Sequence, residues 1–397
     1  MKTGLRILFI TSSDPEKIGG GALNYAKGIL SALSSHYSVD VLVADPRRHN
    51  RDWKLPNGLP YRHVHPNYFK FRNDFIGLPA LIKKCASKLR IKTKPAAHPA
   101  PYEMPQDMKD VVKRWSKENQ YDVIVVNYFW MTPAFEYFSD ALKVTLTHDV
   151  WHHHVSVGKS NHQLLKKLTH ETEASYLNQC DLLIAISEHD AEIFRRFTSV
   201  KEVIVSLPAF KSSNHQKKEP KYGCLIFASG YQPNIEGLNW FLTEVWPTVL
   251  KQSESAQLSI GGQICRALEA NSQALPPNSQ LIGGCWDPAD FYQHAQMAVV
   301  PLLNGTGVKT KIIEAMQFGL PIVTTPQGLL GIEFLQDYGV AAESDPQRFA
   351  EAIVDCINRP EDAEKRGKAN RGAFEKYFTL EAANEALIKR LKRANLK

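Results

Sequence analysis

Residues 304–316, NGTGVKTKIIEAM, place two glycines, two lysines and a glutamate around one turn. The apolar run MAVVPLL precedes them. A helical pattern follows, beginning near Lys309 and ending before Gly319, with Pro321 just beyond as a normal helix stop. A strand–turn–helix of this kind delivers unsatisfied backbone N–H groups at a helix start, where anions bind. Gly305 and Gly307 let the backbone approach a ligand closely. Lys309 and Lys311 put two cations at the end of a helix that disfavours them, a local cost that a bound diphosphate would offset. Glu314, one turn further in, can accept hydrogen bonds from a sugar diol. Solvated lysines beside an ordinary surface glutamate are the plainer alternative, since glycine-rich turns alone are weak signals.

Two further stretches carry chemistry. LTHDVWHHHVS puts His148 and Asp149 at the end of a strand-like run, where a cleft residue of an α/β protein belongs. His152, His153 and His154 suggest a metal, but consecutive side chains point in different directions on any regular element, and no carboxylate or thiol stands at ligand spacing. No metal is therefore expected. Gly19, Gly20 and Gly21 sit between the first strand and the first helix. They do not form G-x-G-x-x-G, so a nicotinamide fingerprint is missing, and they either bring amides to a ligand or merely close a tight turn.

The elements that position these residues alternate. LRILFI, SVDVLVA, DVIVVN, KVTLTHD, DLLIAIS and EVIVS read as buried strands, separated by helical patterns that include one long helix up to Gln179. LPAFKSSNHQKKEPK, from Leu207 to Lys221, is polar and basic with flanking prolines and reads as a linker. A second alternation follows: CLIFAS, a helix from Asn234 to Leu250, AQLSIGG, SQLIGG, a helix near Pro288, MAVVPLL, the helix after Lys309, PIVTT and GVAAES. Three helical segments, beginning near Pro346, Glu361 and Thr379, close the chain. Such alternation implies parallel sheets covered on both faces.

PLLNGTGVKTKIIEAMQFGLPIVTTPQGLLGI resembles the donor-binding segment of the group 1 (family-four) glycosyltransferases of the GT-B fold. FASGYQPNIEGLNWFLTEVWP resembles the opening of their C-terminal domain, and GGGALNYAKGIL their glycine-rich loop. The resemblance is strongest from Gly223 to Ile332 and weak from Arg47 to Gln120. It implies two Rossmann-like doubly wound domains facing a central cleft: residues 1–206 on the acceptor side, a linker at 207–221, and a nucleotide-sugar domain at 222–378. The C-terminal helix, 379–397, would pack back on the first domain. It further implies transfer of a sugar from a nucleotide-sugar, with retention and with no other cofactor.

By the same resemblance, Gly20, Gly21, Gly230, Thr306, Gly307, Val308, Lys309, Lys311 and Glu314 bind the donor, and His148 faces the donor sugar. Glu314 matches the second glutamate of the family's E-x7-E motif, whereas Thr306 stands where the first is usual. The family's Arg/Lys pair after the first strand of the second domain is absent from SGYQPNIEG, so Lys309 and Lys311 are the candidates to supply that charge. No side chain stands out as a nucleophile, and front-face retention needs none.

Composition bounds the rest. The 397 residues are 43% hydrophobic, enough for full cores, and no run of about 20 apolar residues suggests a membrane span. The N-terminal apolar run, only Ile7 to Ile10, is too short for a secretory signal. Six cysteines without a C-x-x-C pair argue against a zinc ribbon or disulfide framework and fit a cytoplasmic setting. The chain is net +7, yet the block from Arg47 to Lys94 holds thirteen basic and two acidic residues, leaving the remainder net acidic. That block is also rich in aromatics. It suits peripheral contact with an anionic membrane at the inner face, or grip on an anionic substrate or nucleic acid, or a solvated insertion. The partners expected are a nucleotide-sugar donor and a glycan or lipid-linked acceptor, without nucleic acid. The rival readings are a nucleotide-sugar epimerase, for which no carboxylate pair is evident, and a non-catalytic glycan- or membrane-binding scaffold, which Thr306 would suit.

Overall fold

The computed structural model describes residues 4–11, 21–44, 52–54, 60–64, 104, 106–156, 168–212, 218–270, 274–284 and 288–394. Most of the basic aromatic block, together with Gly19 and Gly20, lies outside them.

The first sheet contains β1 (Arg6–Thr11), β2 (Ser38–Ala44), β3 (Asp52–Lys54), β4 (Pro60–Val64), β5 (Val123–Asn127), β6 (Leu142–Leu146), β7 (Leu182–Ala185) and β8 (Glu202–Val205). Their order is β3-β4-β2-β1-β5-β6-β7-β8, parallel throughout except that β3 runs antiparallel to β4. β1, β5 and β7 are apolar along almost their whole length because helices cover both faces. Those helices are α1 (Gly21–His36), α2 (Gln106–Glu118), α3 (Trp151–Ser156), α4 (His170–Leu177) and α5 (Glu188–Phe197). One core packs Leu8, Ile124, Val126 and Leu183 against Met108, Val112 and Phe194, and a second packs Ile7, Phe9, Val125 and Ile184 against Tyr25, Ile29 and Leu33.

The second sheet, all parallel, contains β9 (Tyr222–Phe227), β10 (Leu258–Gly261), β11 (Ser279–Gly283), β12 (Ala295–Val300), β13 (Ile322–Thr324) and β14 (Ala341–Ala342), ordered β11-β10-β9-β12-β13-β14. Around it lie α6 (Gln232–Trp240), α7 (Trp246–Gln252), α8 (Ile264–Ala270), α9 (Ala289–Tyr292), α10 (Thr310–Gln317), α11 (Pro346–Asn358), α12 (Pro360–Tyr377) and α13 (Leu380–Ala394).

Several elements differ from expectation. The helix expected from Asn234 to Leu250 is interrupted by a π-helical turn, Phe241–Val245, just before Pro247; proline has no N–H to give the ladder, which explains the break. The helix expected to run up to Gln179 is described as two pieces, α3 and α4, with 157–167 outside the described residues. α2 and α8 were not expected at all.

The chain passes between the sheets twice, side by side. Phe210 donates its N–H to the Phe378 carbonyl at 2.8 Å and forms a parallel bridge with Thr379. Beyond that crossing α13 returns to the first sheet. Leu387, Ile388 and Leu391 join the core of Leu5, Ile7 and Tyr37. The Ser206 hydroxyl donates to the Ala383 carbonyl at 2.9 Å, and Arg390 pairs with Glu202 at 2.7 Å.

In open α/β sheets, ligands gather outside the carboxyl ends of the strands, where the strand order reverses. Here the reversals fall at β1/β5 in one sheet and β9/β12 in the other, and the loop leaving β12 meets the turn that follows β6.

Candidate active site

From the first sheet, register places Thr11 beside Asn127 and Asn127 beside Leu146. A hydrogen-bonded chain crosses these three strand ends. Asn127 Nδ2 donates to Thr11 Oγ1 at 2.9 Å, and His148 Nε2 lies 2.5 Å from Asn127 Oδ1. With the amide nitrogen committed to Thr11, the amide oxygen must accept, so His148 carries its proton on Nε2. Its Nδ1 is then a lone pair, buried and without a partner among the described residues. His148 is 3% exposed. Burial pushes its pKa down to about 4 and Asp149 only partly offsets this, so the imidazole is neutral at physiological pH and serves as a hydrogen-bonding group.

Aromatic rings fix the histidine. Tyr128 stacks on it with centroids 4.3 Å apart, Trp130 stacks on the other side of Tyr128 at 4.3 Å, and Tyr25 meets the imidazole edge-on at 5.4 Å. Tyr128 adopts φ 81°, a backbone state costly for a bulky residue and found where a site over-determines it. The histidine run that follows has a structural explanation. Buried Glu173 accepts the N–H groups of Trp151 and His152 and the His152 ring, the last at 2.9 Å. It thereby caps α3 and pins the turn holding His148 and Asp149. Among the described residues no group of three His, Cys, Asp or Glu side chains could hold a metal ion.

From the second sheet comes the loop 303–309. Gly305 and Gly307 have φ 119° and 68°, in the region that favours glycine. Gln327 ties down the loop by donating to the Gly305 carbonyl at 2.6 Å. Lys309 folds back so that its ammonium donates to the carbonyls of Thr306, at 3.0 Å, and Gly307, at 2.5 Å. Lys311 donates to Asn234 Oδ1 at 2.5 Å, and Asn234 Nδ2 is held in turn by Ser229 O and Oγ, each at 3.0 Å. Both lysines are half-buried. Desolvation pulls each pKa down to about 8; Asp149 and Asp190 oppose this at Lys309, and Glu314 opposes it at Lys311. Glu314 stands on α10 beside Lys311 and is approached by the Tyr292 hydroxyl at 3.5 Å.

The two halves touch here. A Cβ on Gly307 would lie 2.0 Å from Asp149 Oδ1; one on Gly331 would lie 2.8 Å from Ser187 Oγ; one on Gly21 would lie 3.0 Å from the Thr310 side chain. Val308 packs against cores of both domains. The structure thus brings His148 and Gly21 of the first domain up to Thr306, Gly307, Val308 and Lys309 of the second, with Lys311 and Glu314 along α10. Gly230 sits in the loop between β9 and α6 with open space around it: the nearest atom a Cβ would meet is the Gln263 carbonyl oxygen at 3.8 Å.

Four residues escaped the sequence reading: Asn127, Tyr128, Asn234 and Asp190. Asp190 is 6% exposed in the first turn of α5. Burial and the Asp149 charge raise its pKa to about 7, against the pull of Lys309. The only signal was the S-x-x-D pattern at Ser187, which marks a helix start and no chemistry.

Comparison with known proteins agrees with this architecture. Residues 223–359 match the model of the family "Glycosyl transferases group 1". Sucrose-phosphate synthase from Thermosynechococcus elongatus superposes with a TM-score of 0.69 at 16% identity, covering 98% of each chain. TarM gives 0.67 at 11% identity over 97% of this chain and 98% of its own. Anabaena HepE in complex with UDP-glucose gives 0.63 at 15% identity over 98% and 100%. An uncharacterized 44.6 kDa protein in the cps region of Klebsiella pneumoniae is 27% identical over 161 residues, 37% of this chain and 42% of that protein. The chain has the GT-B fold, and the match to the group 1 glycosyl transferase model falls within its second sheet and the helices around it. Together these findings support a glycosyltransferase.

Proposed function

We propose that this protein transfers a hexose from a nucleotide-sugar to a glycan or lipid-linked acceptor, with retention at the anomeric carbon, in polysaccharide or glycolipid biosynthesis. The observation that carries the reading is a glycine turn that faces His148 and Asp149, with Lys309 held on its carbonyls and Lys311 held beside it on Asn234. A diphosphate leaving group needs positive charge that is already in place. Two partly desolvated lysines beside a helix start supply it. Neutral His148 positions the sugar through its free Nδ1, and Glu314 takes the ribose diol. UDP-sugars are the first donors to try, because HepE was solved with UDP-glucose. The relative in a cps region favours polysaccharide synthesis. Among the described residues no helix is long and apolar enough to cross a membrane; membrane contact is assigned to the block from Arg47 to Lys94, on the cytoplasmic face.

Thr306 keeps a second reading, a non-catalytic scaffold of the same fold, in play. One experiment separates them: a thermal-shift panel of UDP-, GDP-, dTDP- and CMP-sugars without added metal. Binding to the native state alone raises apparent stability. One clear shift, abolished in Glu314→Ala, is the expected result. No shift with any sugar nucleotide refutes the donor site and favours the scaffold.

A further inference from the structure

Asp190 has no role in the chemistry above, yet it is a carboxyl buried where the two domains meet. Its backbone N–H is capped by Ser187 Oγ at 3.1 Å, and Ser187 is the residue against which Gly331 of the second domain packs. One carboxyl oxygen, Oδ2, is buried without a partner among the described residues. The same holds for Tyr25 Oη and His148 Nδ1, whose rings touch each other. The groups that act on Asp190 come from every side. They are Asp149 from the turn after β6, Lys309 from the loop before α10, Glu333 from the 3-10 turn Glu333–Tyr338, Tyr25 from α1, and Ser187 on its own element. Asp149, Asp190 and Lys309 thus form a cluster with two carboxyls and one ammonium.

A nucleotide-sugar brings a doubly charged diphosphate to that same ammonium. With Asp149 and Asp190 both ionised, the site would then hold more negative charge than Lys309 and Lys311 together can balance, in a setting with little solvent screening. The carboxyl least able to stay ionised is the buried one that lacks hydrogen-bond donors for both oxygens.

We propose that Asp190 is a positioning residue for donor binding: its carboxylate opposes Lys309 while the cleft is empty and takes up a proton from solvent when a nucleotide-sugar diphosphate settles on that lysine. The inference rests on the donor reading above. Protonation frees Lys309 to serve the diphosphate alone and turns Asp190 into an O–H donor inside the domain contact. It also links affinity to pH. Donor binding weakens as pH rises through the neutral range, by up to about tenfold per unit once free Asp190 is fully ionised.

The test is calorimetry with UDP-glucose and GDP-mannose at pH 7 in phosphate and in Tris, whose ionisation heats differ. A difference infrared spectrum of donor binding adds a direct view of a protonated carboxyl. The expected result is uptake of a fraction of a proton, because free Asp190 is then partly ionised, with a new carboxylic-acid band. Asp190→Asn should bind the donor with the carboxylic-acid band lost and proton uptake reduced to the small part that Lys309 and Lys311, near pKa 8, contribute. Donor binding by the wild type with no proton uptake overturns the inference and leaves the donor site standing. Uptake unchanged in Asp190→Asn assigns the proton elsewhere and overturns it as well. Binding of neither nucleotide-sugar refutes the donor reading for these two donors and this proposal with it. The wild-type measurements decide the matter even if the variant folds poorly.

Discussion

Replacing Gly307 by alanine isolates the domain contact at the site. Two costs follow from the geometry. The residue sits at φ 68°, where an L-side chain is less stable by roughly 1–2 kcal/mol. The new methyl would also lie 2.0 Å from Asp149 Oδ1 and 3.1 Å from its Cγ, so Asp149 or the domain contact must give way. Overpacking of that kind costs about 1–3 kcal/mol. Gly307→Ala should therefore lower stability by about 2–5 kcal/mol in urea unfolding and weaken the thermal shift produced by a nucleotide-sugar. Asp149→Ala removes the clash but leaves the backbone cost. The double variant should thus recover about 1–3 kcal/mol of the stability lost in Gly307→Ala. If the two substitutions add to within about 0.5 kcal/mol, the contact between Gly307 and Asp149 does not exist in solution, and the meeting of the two halves at this point is wrong.

Asp190→Asn should change how stability depends on pH. The folded carboxyl is raised from 3.8 to about 7, so its contribution is full below about pH 4 and is lost as pH rises through about 7; by pH 8 the asparagine variant should gain up to about 4 kcal/mol relative to wild type. Equal pH profiles for the two proteins in urea titrations would contradict the burial argument. Lys309 and Lys311, each near pKa 8, lose charge above that pH, so donor affinity should fall between pH 8 and 10, and that limb should survive in Asp190→Asn. Gly237→Ala would drive a methyl to 1.9 Å from the Pro301 carbonyl oxygen; both partners are backbone, so a loss of about 3 kcal/mol or more in chemical denaturation is expected, with Lys311 displaced from Asn234.

What the sequence made legible was local. The turn at 304–309 announced itself because glycines, lysines and a helix start fall within a dozen residues. His148 was legible because it ends a strand. The strand and helix alternation followed from apolar runs and turn residues. What it hid was long-range. Asn127 orients His148 only because β5 and β6 are neighbours, and Thr11 orients Asn127 from 116 positions away. Asn234 meets Lys311 across 77 positions. Asp190 reads as an ordinary first-turn acid until burial and the second domain give it a charged setting. α8 went unseen because its pattern, ICRALEA, covers only seven residues, too short for periodicity to speak. α2 was legible and was passed over: Met108, Val111, Val112 and Trp115 follow helical spacing.

The return of α13 to the first sheet orders events during synthesis. The first domain is not a contiguous piece of chain: Leu387, Ile388 and Leu391 complete the core begun by Leu5 and Ile7. A ribosome finishes the whole second domain before it supplies those side chains. The first sheet therefore waits, one face partly uncovered, until the last helix emerges and passes Phe378 beside Phe210. Nascent chains ending before residue 380 should expose that apolar face to chaperones. Docking of α13 is then the step that completes the core of the first domain.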